Sequence, residues 1–242
     1  MSINSCDKML KKIKQSIRFL LGTKNETDFY SQGGEDAIVM KTFLYLLDIK
    51  KGFYLDIGAF HPYKHSNTYL LYKAGWSGIN IDPRPGFKAL FDKHKPRDIN
   101  IEAGIGEKNS AMTYYIVGKD STMNTFSRTN LERLNLLGQV QSTIDVMVYK
   151  LSFLLESYPA VKEIDYLNID AEGFELQVLS GLDFTIHPPK VISIEQNDVL
   201  TFSDVLNSEV NGFLASKSYV AYAKNILLKN VSTVFYIRKD LL

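Results

Sequence analysis

The chain has 242 residues, of which 45% are hydrophobic and 23% charged, a composition that excludes collagen-like, coiled-coil and intrinsically disordered chains. Its 28 basic and 27 acidic residues leave a formal charge of +1, so no global field draws it to nucleic acid. One cysteine, Cys6, rules out an intrachain disulfide and a cysteine-based metal cluster, and nothing asks for an oxidising compartment.

In chain order, residues 8–21 come first as a basic amphipathic helix, with Met9, Ile13, Ile17 and Leu20 at helical spacing and Lys11, Lys12, Lys14 and Arg18 between them. Two partners suit such a helix. Its apolar side can pack on its own domain or on a second subunit of a homo-oligomer, or it can lie on an anionic lipid surface. The interspersed charges leave no apolar stretch for a cleaved signal peptide, and no run of about 18 apolar residues suggests a membrane span. The expected location is cytoplasmic, peripheral at the membrane if the helix meets lipid. Residues 22–26 read as a linker, dividing the chain into an N-terminal helix and linker (1–25) and one large domain (26–242).

A helix entry at Ser31-Gln32-Gly33-Gly34-Glu35-Asp36 is followed by helical periodicity to Lys50. Phe53-Tyr54-Leu55-Asp56-Ile57-Gly58 is a short apolar run closing on an acid and a glycine, as a buried parallel strand does. Ser66 can cap a helix over residues 67–74 that stops at Gly75. A strand at Ile79-Asn80-Ile81-Asp82 ends at Pro83; a helix over residues 86–95 and a strand over 99–103 follow. This β-α-β-α-β order implies a parallel sheet with helices on both faces. Residues 112–117 read as an additional strand, 121–127 as a polar loop, 151–158 as a helix. A strand over 165–170 precedes a helix from about Glu172 to Ser180. A strand over 191–195 precedes one helix over 202–217, and residues 218–223 with 231–238 form a terminal hairpin.

In an open parallel sheet, ligands bind outside the carboxyl ends of the strands. Here four strands close on acids: Asp56, Asp82, Asp170 and Glu195. One such acid is usually a helix cap; four together point to a site. The turn after Asp56 has one glycine, Gly58, where a dinucleotide site needs three, and no strand leads into a P-loop, which argues against NAD, FAD and ATP. A nucleoside ligand without phosphate, carrying a small zwitterion, tolerates a single glycine; S-adenosylmethionine is such a ligand. Asp82, one strand further on, stands where an acid accepts both ribose hydroxyls.

The segments Tyr30-Ser31-Gln32-Gly33-Gly34-Glu35-Asp36, Phe53-Tyr54-Leu55-Asp56-Ile57-Gly58-Ala59, Ser66-Asn67-Thr68, Gly75-Trp76-Ser77-Gly78-Ile79, Ala103-Gly104-Ile105-Gly106 and Ile164-Asp165-Tyr166-Leu167-Asn168-Ile169-Asp170-Ala171-Glu172-Gly173-Phe174-Glu175 resemble the FkbM-type S-adenosylmethionine-dependent methyltransferases over about residues 29–240. The resemblance implies an α/β, Rossmann-like class I methyltransferase fold, a mostly parallel seven-stranded sheet with helices on both faces and a C-terminal antiparallel hairpin. It implies O-methylation, commonly of sugars in glycans or natural products. The family usually shows Glu-Pro where this chain has Asp82-Pro83; the shorter carboxylate still reaches a ribose diol. The cofactor contacts expected with it are Gln32, Asp36, Asp56, Gly58, Ala59, Asp82, Pro83, Glu102 and Gly104.

Methyl transfer to oxygen needs an aligned nucleophile and removal of its proton. The expected bases are Asp170, Glu172, Glu195 and His61. In the alternative, Asp170 and Glu195, joined by Gln196 or Asn197, hold a divalent cation, magnesium, manganese or calcium on oxygen-only ligation, which acidifies the hydroxyl. Glu175 reads as a helix-dipole acid; His65, His94 and His187 read as surface or loop histidines. Residues 121–124 are either an acceptor lid or an ordinary loop. The expected acceptor is a carbohydrate, free or joined to a nucleotide, lipid or glycan, or another small molecule. Two further readings are methylation of an amine or other small metabolite, and a methyltransferase-like module that binds without catalysis.

Overall fold

The computed structural model describes residues 29–242. The helix expected over residues 8–21 and the boundary at residue 25 lie outside them. Helix α1 (Glu35–Lys41) runs into a π-helical turn (Thr42–Leu46), followed by β1 (Phe53–Ile57), α2 (Tyr69–Lys73), β2 (Ser77–Asp82), α3 (Phe87–His94) and β3 (Ile99–Glu102). Then come β4 (Gly104–Ile105), β5 (Ser110–Ile116), α4 (Arg128–Arg133), β6 (Ser142–Tyr149), α5 (Leu151–Glu156), β7 (Tyr166–Ile169) and α6 (Glu175–Ser180). The chain closes with β8 (Val191–Asn197), α7 (Phe202–Asn207), α8 (Glu209–Ser216), β9 (Tyr219–Leu228) and β10 (Val231–Arg238).

Seven strands form one sheet in the order β3-β2-β1-β7-β8-β10-β9, with β10 antiparallel to both neighbours and the remaining pairs parallel. This is the fold the sequence leads one to expect. Alternation along each strand sends apolar residues to both faces. Leu55, Ile79, Leu167, Ile192 and Val234 pack on one side with Leu151, Val178 and Leu214 from the helices. On the other side Tyr54, Tyr166 and Phe235 pack with Val39, Phe43 and Leu71. Among the described residues no helix is long and apolar enough to cross a membrane.

Three local expectations are corrected, and two elements are added. The first helix leaves α geometry at Thr42, whose hydroxyl donates to the Ile38 carbonyl at 2.9 Å, and the turn closes with the Leu47 amide on the Thr42 carbonyl at 3.0 Å. The single helix over 202–217 is two, because Ser208 is extended and its hydroxyl caps α8 by accepting from the Asn211 amide at 3.1 Å. Residues 128–133 and 142–149, unassigned from the sequence, are helix α4 and strand β6. With β4 and β5, β6 forms a second sheet in the order β4-β6-β5. The helix expected from Glu172 starts at Glu175; Glu172 and Gly173 lie in a turn with φ of 51° and 91°.

Candidate active site

Register places the strand-end residues. Ile57 is paired with Ile81 on β2 and with Ile169 on β7, and Ile169 with Ile194 on β8. The next residues, Gly58, Asp82, Asp170 and Glu195, therefore form one row along the carboxyl edge of the sheet. Asp56 sits one layer deeper, in a buried polar row with Asn80, Asn168 and Ser193. Its carboxylate accepts from the Thr68 hydroxyl at 2.5 Å and the Asn168 amide at 2.9 Å. Behind Thr68 lies Lys95, fully buried, donating to Thr68 Oγ1 at 2.9 Å and Asn80 Oδ1 at 3.2 Å. Desolvation holds its ammonium down to about 8, against the pull of Asp56 and Asp98. Nothing in the strand-end pattern announces this lysine.

The row opens into a cleft of about 980 Å³ including its mouth, a size typical of small-molecule sites. Gly58 has φ of 77°, and a Cβ on it would stand 1.7 Å from the Asp170 carbonyl oxygen, so only glycine lets the ends of β1 and β7 meet. The Asp82 carboxylate accepts the Phe60 amide at 3.0 Å and the Arg84 amide at 2.8 Å, one on each oxygen. Each oxygen keeps a lone pair for a diol. Burial raises the Asp82 pKa, with Arg84 and the two amides opposing. The Arg84 guanidinium stacks 4.6 Å over the Phe60 ring and donates to the Phe60 carbonyl.

Asp170, Glu172 and Glu195 are half-buried, and each presents a carboxylate oxygen within 4.8 Å of the other two. Burial first, then Glu195, pushes Asp170 well above the usual carboxylate range; burial and then Asp170 do the same to Glu172. Glu195 is pushed up to about 8, chiefly by burial and next by Glu172. Charges this close titrate as a group, and part of the cluster keeps its proton at neutral pH. Such a cluster can accept a proton, or it can hold a divalent cation through oxygen alone.

Of the expected residues, the cleft is lined by Gln32, Asp56, Gly58, Ala59, Asp82, Pro83, Gly104, Asp170, Glu172 and Glu195. Four others lie elsewhere. Asp36 is buried against the chain before α1, accepting from the Tyr30 amide at 2.8 Å and the Ser31 hydroxyl at 2.7 Å. Glu102 is exposed and accepts the Gly86 and Lys88 amides at 3.0 and 3.3 Å, tying down the start of α3. His61 turns Nδ1 to the Lys64 amide at 3.1 Å. Gln196, expected beside Glu195, points to the opposite face, where it donates to the Tyr236 hydroxyl at 3.1 Å; successive strand residues cannot share a face. Glu172 takes the third place in the cluster.

The cleft also takes in Glu35, Arg84, Tyr114 and, at its exposed rim, His65. His65 is the histidine of the cleft in place of His61. Ser121, Thr122 and Asn124 from the polar loop form part of the wall. Glu175 caps locally, accepting the Gly173 and Ala171 amides at 2.9 and 3.2 Å.

No curated protein matches the sequence. Residues 56–221 match the family model described as the methyltransferase FkbM domain, a span that runs from the acid of the buried polar row into β9 at the edge of the sheet. The strand order, the acid row and this match agree, and the chain belongs to the FkbM methyltransferase family.

Proposed function

We propose that the protein is an S-adenosylmethionine-dependent O-methyltransferase acting on a sugar hydroxyl of a glycan, nucleotide sugar or glycosylated natural product. The observation that carries this reading is the row of Gly58, Asp82, Asp170 and Glu195 at the carboxyl edge of the sheet. The donor set fits the cofactor. Asp82 offers two oxygens to a diol, Gly58 leaves backbone room, and the acids along the row favour a ligand that carries positive charge. When bound, S-adenosylmethionine supplies an already electrophilic methyl group. Asp82 and Asp56 would hold the nucleoside and amino-acid ends, and the loop over residues 121–126 would shape the acceptor side. Alignment of this kind accounts for about 7–11 kcal/mol of a barrier. The Asp170, Glu172 and Glu195 cluster takes the hydroxyl proton, worth about 3–5 kcal/mol at the usual 10²–10⁴-fold.

The near-zero net charge favours a glycan or small acceptor over nucleic acid. A second reading uses the same three oxygens to bind magnesium or manganese beside the acceptor. Calorimetric titration of S-adenosylmethionine, followed by incubation with nucleotide sugars and glycans, tests the proposal through the mass gain of one methylene. Asp82→Ala should weaken cofactor binding by about 10–100-fold, the worth of hydrogen bonds to a charged group; unchanged binding rejects the assignment. Turnover that survives EDTA and gains nothing from added magnesium or manganese removes the cation reading.

A further inference from the structure

The strand-end row explains how Asp170 and Glu195 reach the cleft, but Glu172 belongs to no strand or helix. It occupies a left-handed turn, φ 51°, followed by Gly173 at φ 91°, a conformation that costs a residue with a Cβ about 1–2 kcal/mol unless its surroundings hold it there. Two side chains from the segment between β5 and β6 converge on its carbonyl oxygen: Thr125 Oγ1 donates at 2.9 Å and Asn130 Nδ2 at 2.8 Å. Thr125 is 1% exposed and Asn130 6%. Together they use both lone pairs of that oxygen.

The direction of the Asn130 amide is itself settled. Its Oδ1 accepts from Arg133 Nη2 at 2.7 Å, which turns the NH₂ toward Glu172, and Arg133 Nη1 pairs with Asp198 beyond β8 at 3.1 Å. A Cβ on Gly173 would come 2.9 Å from Asn130 Cβ, so the turn and α4 are in close contact. On the far flank the Glu175 carboxylate holds the Ala171 and Gly173 amides.

We infer that Thr125 and Asn130 are positioning residues for Glu172, aiming its carboxylate at Asp170 and Glu195 from the same segment that walls the acceptor side of the cleft. This rests on the reading of the three carboxylates as the proton acceptor. The segment then does two things at once. Ser121, Thr122 and Asn124 face the cleft, and Thr125, next along, sets the third carboxylate. Replacing this segment would change acceptor choice and proton removal together.

Three variants test the inference: Thr125→Val, Thr125→Ser and Asn130→Ala. Each is read by a crystal structure, by S-adenosylmethionine affinity and by methyl transfer to whichever acceptor gains mass. In Thr125→Val and Asn130→Ala the Glu172 carboxylate should leave the 4.8 Å cluster and kcat should fall about 10-fold or more. In Asn130→Ala cofactor affinity should stay within about twofold, since Asn130 is not among the residues lining the cleft. Thr125→Ser keeps the hydroxyl and should restore both the geometry and kcat; Ser127, whose amide donates to the same Oγ1 at 2.8 Å, keeps its partner as well. In a Glu172→Gln background Asn130→Ala should cost nothing more. Glu172 unmoved in Thr125→Val, or Thr125→Ser no better than Thr125→Val, overturns the inference. If Glu172→Gln keeps full kcat while Thr125→Val still displaces the carboxylate, the positioning stands and the proton-acceptor reading fails.

Discussion

Glu172→Gln removes one titrating carboxyl from the acidic cluster while leaving its shape. The nearest carboxylate oxygens of Glu172 and Glu195 lie within 4.8 Å. At an effective dielectric constant of about 20, two unit charges at that separation repel by about 3.5 kcal/mol, equivalent to about 2.5 pH units. That figure is an upper bound for full ionisation of both groups; Glu195, pushed up to about 8 chiefly by burial and only then by Glu172, should therefore titrate in the variant about 1–1.5 units lower. The assay is a ¹³C carboxyl titration of EDTA-treated, glutamate-labelled protein between pH 5 and 9.5, with Glu195 assigned through Glu195→Gln. The sign is unambiguous, because loss of a neighbouring negative charge favours the ionised form. A Glu195 midpoint that stays within half a unit of wild type would refute the electrostatic account, leaving desolvation alone to raise it. A Glu195 midpoint already near 4.5 in wild type would show that the three carboxylates do not share a proton.

Gly58→Ala should lower the melting temperature by about 5 °C or more and abolish S-adenosylmethionine binding. Left-handed φ costs about 1–2 kcal/mol, and a methyl 1.7 Å from the Asp170 carbonyl forces the ends of β1 and β7 apart; thermal melts and calorimetry read both effects, and a variant that binds normally contradicts the geometry. Lys95→Met should abolish one contribution to the pH dependence of stability. The folded lysine titrates near 8 against an ordinary 10.5, so between these values the unfolded chain binds more protons and wild-type stability rises with pH. From pH 7.5 to 9.5 wild type should gain roughly 2 kcal/mol relative to the variant in urea unfolding; a flat difference would show that Lys95 is not desolvated as its burial indicates.

Much of the site could be read in the chain itself. Buried parallel strands show as short apolar runs, so Phe53-Tyr54-Leu55-Asp56-Ile57 and Tyr166-Leu167-Asn168-Ile169-Asp170 announce both the sheet and the acids at or just below its edge. Strand β6 also carried a signal, the alternation Ile144, Val146, Val148, but half of its residues are exposed and it pairs outside the main sheet, with β4 and β5. Gln196 shows where sequence proximity misleads: adjacent to Glu195 in the chain, it faces Tyr236 across the sheet. Glu102 ends its strand as Asp82 does, yet β3 is the edge strand and its carboxylate meets the exposed amides of α3 instead of a ligand. His61 and His65 are four residues apart in one loop, and only the folded path of that loop, with Phe60 and His65 both at positive φ, decides which of them lines the cleft.

The sequence by itself determined the elements, the sheet type and the acids at the strand ends, because local hydrophobic period and turn chemistry specify these without distant partners. Tertiary structure decided what those acids do. Strand register aligned Asp82, Asp170 and Glu195 and set Asp56 one layer back on Thr68 and Lys95. Thr125 and Asn130, 47 and 42 residues away in the chain, hold the carbonyl of the Glu172 turn. Burial and like charge within 4.8 Å exist only once those distant segments meet, and it is they that raise the carboxylate pKa values.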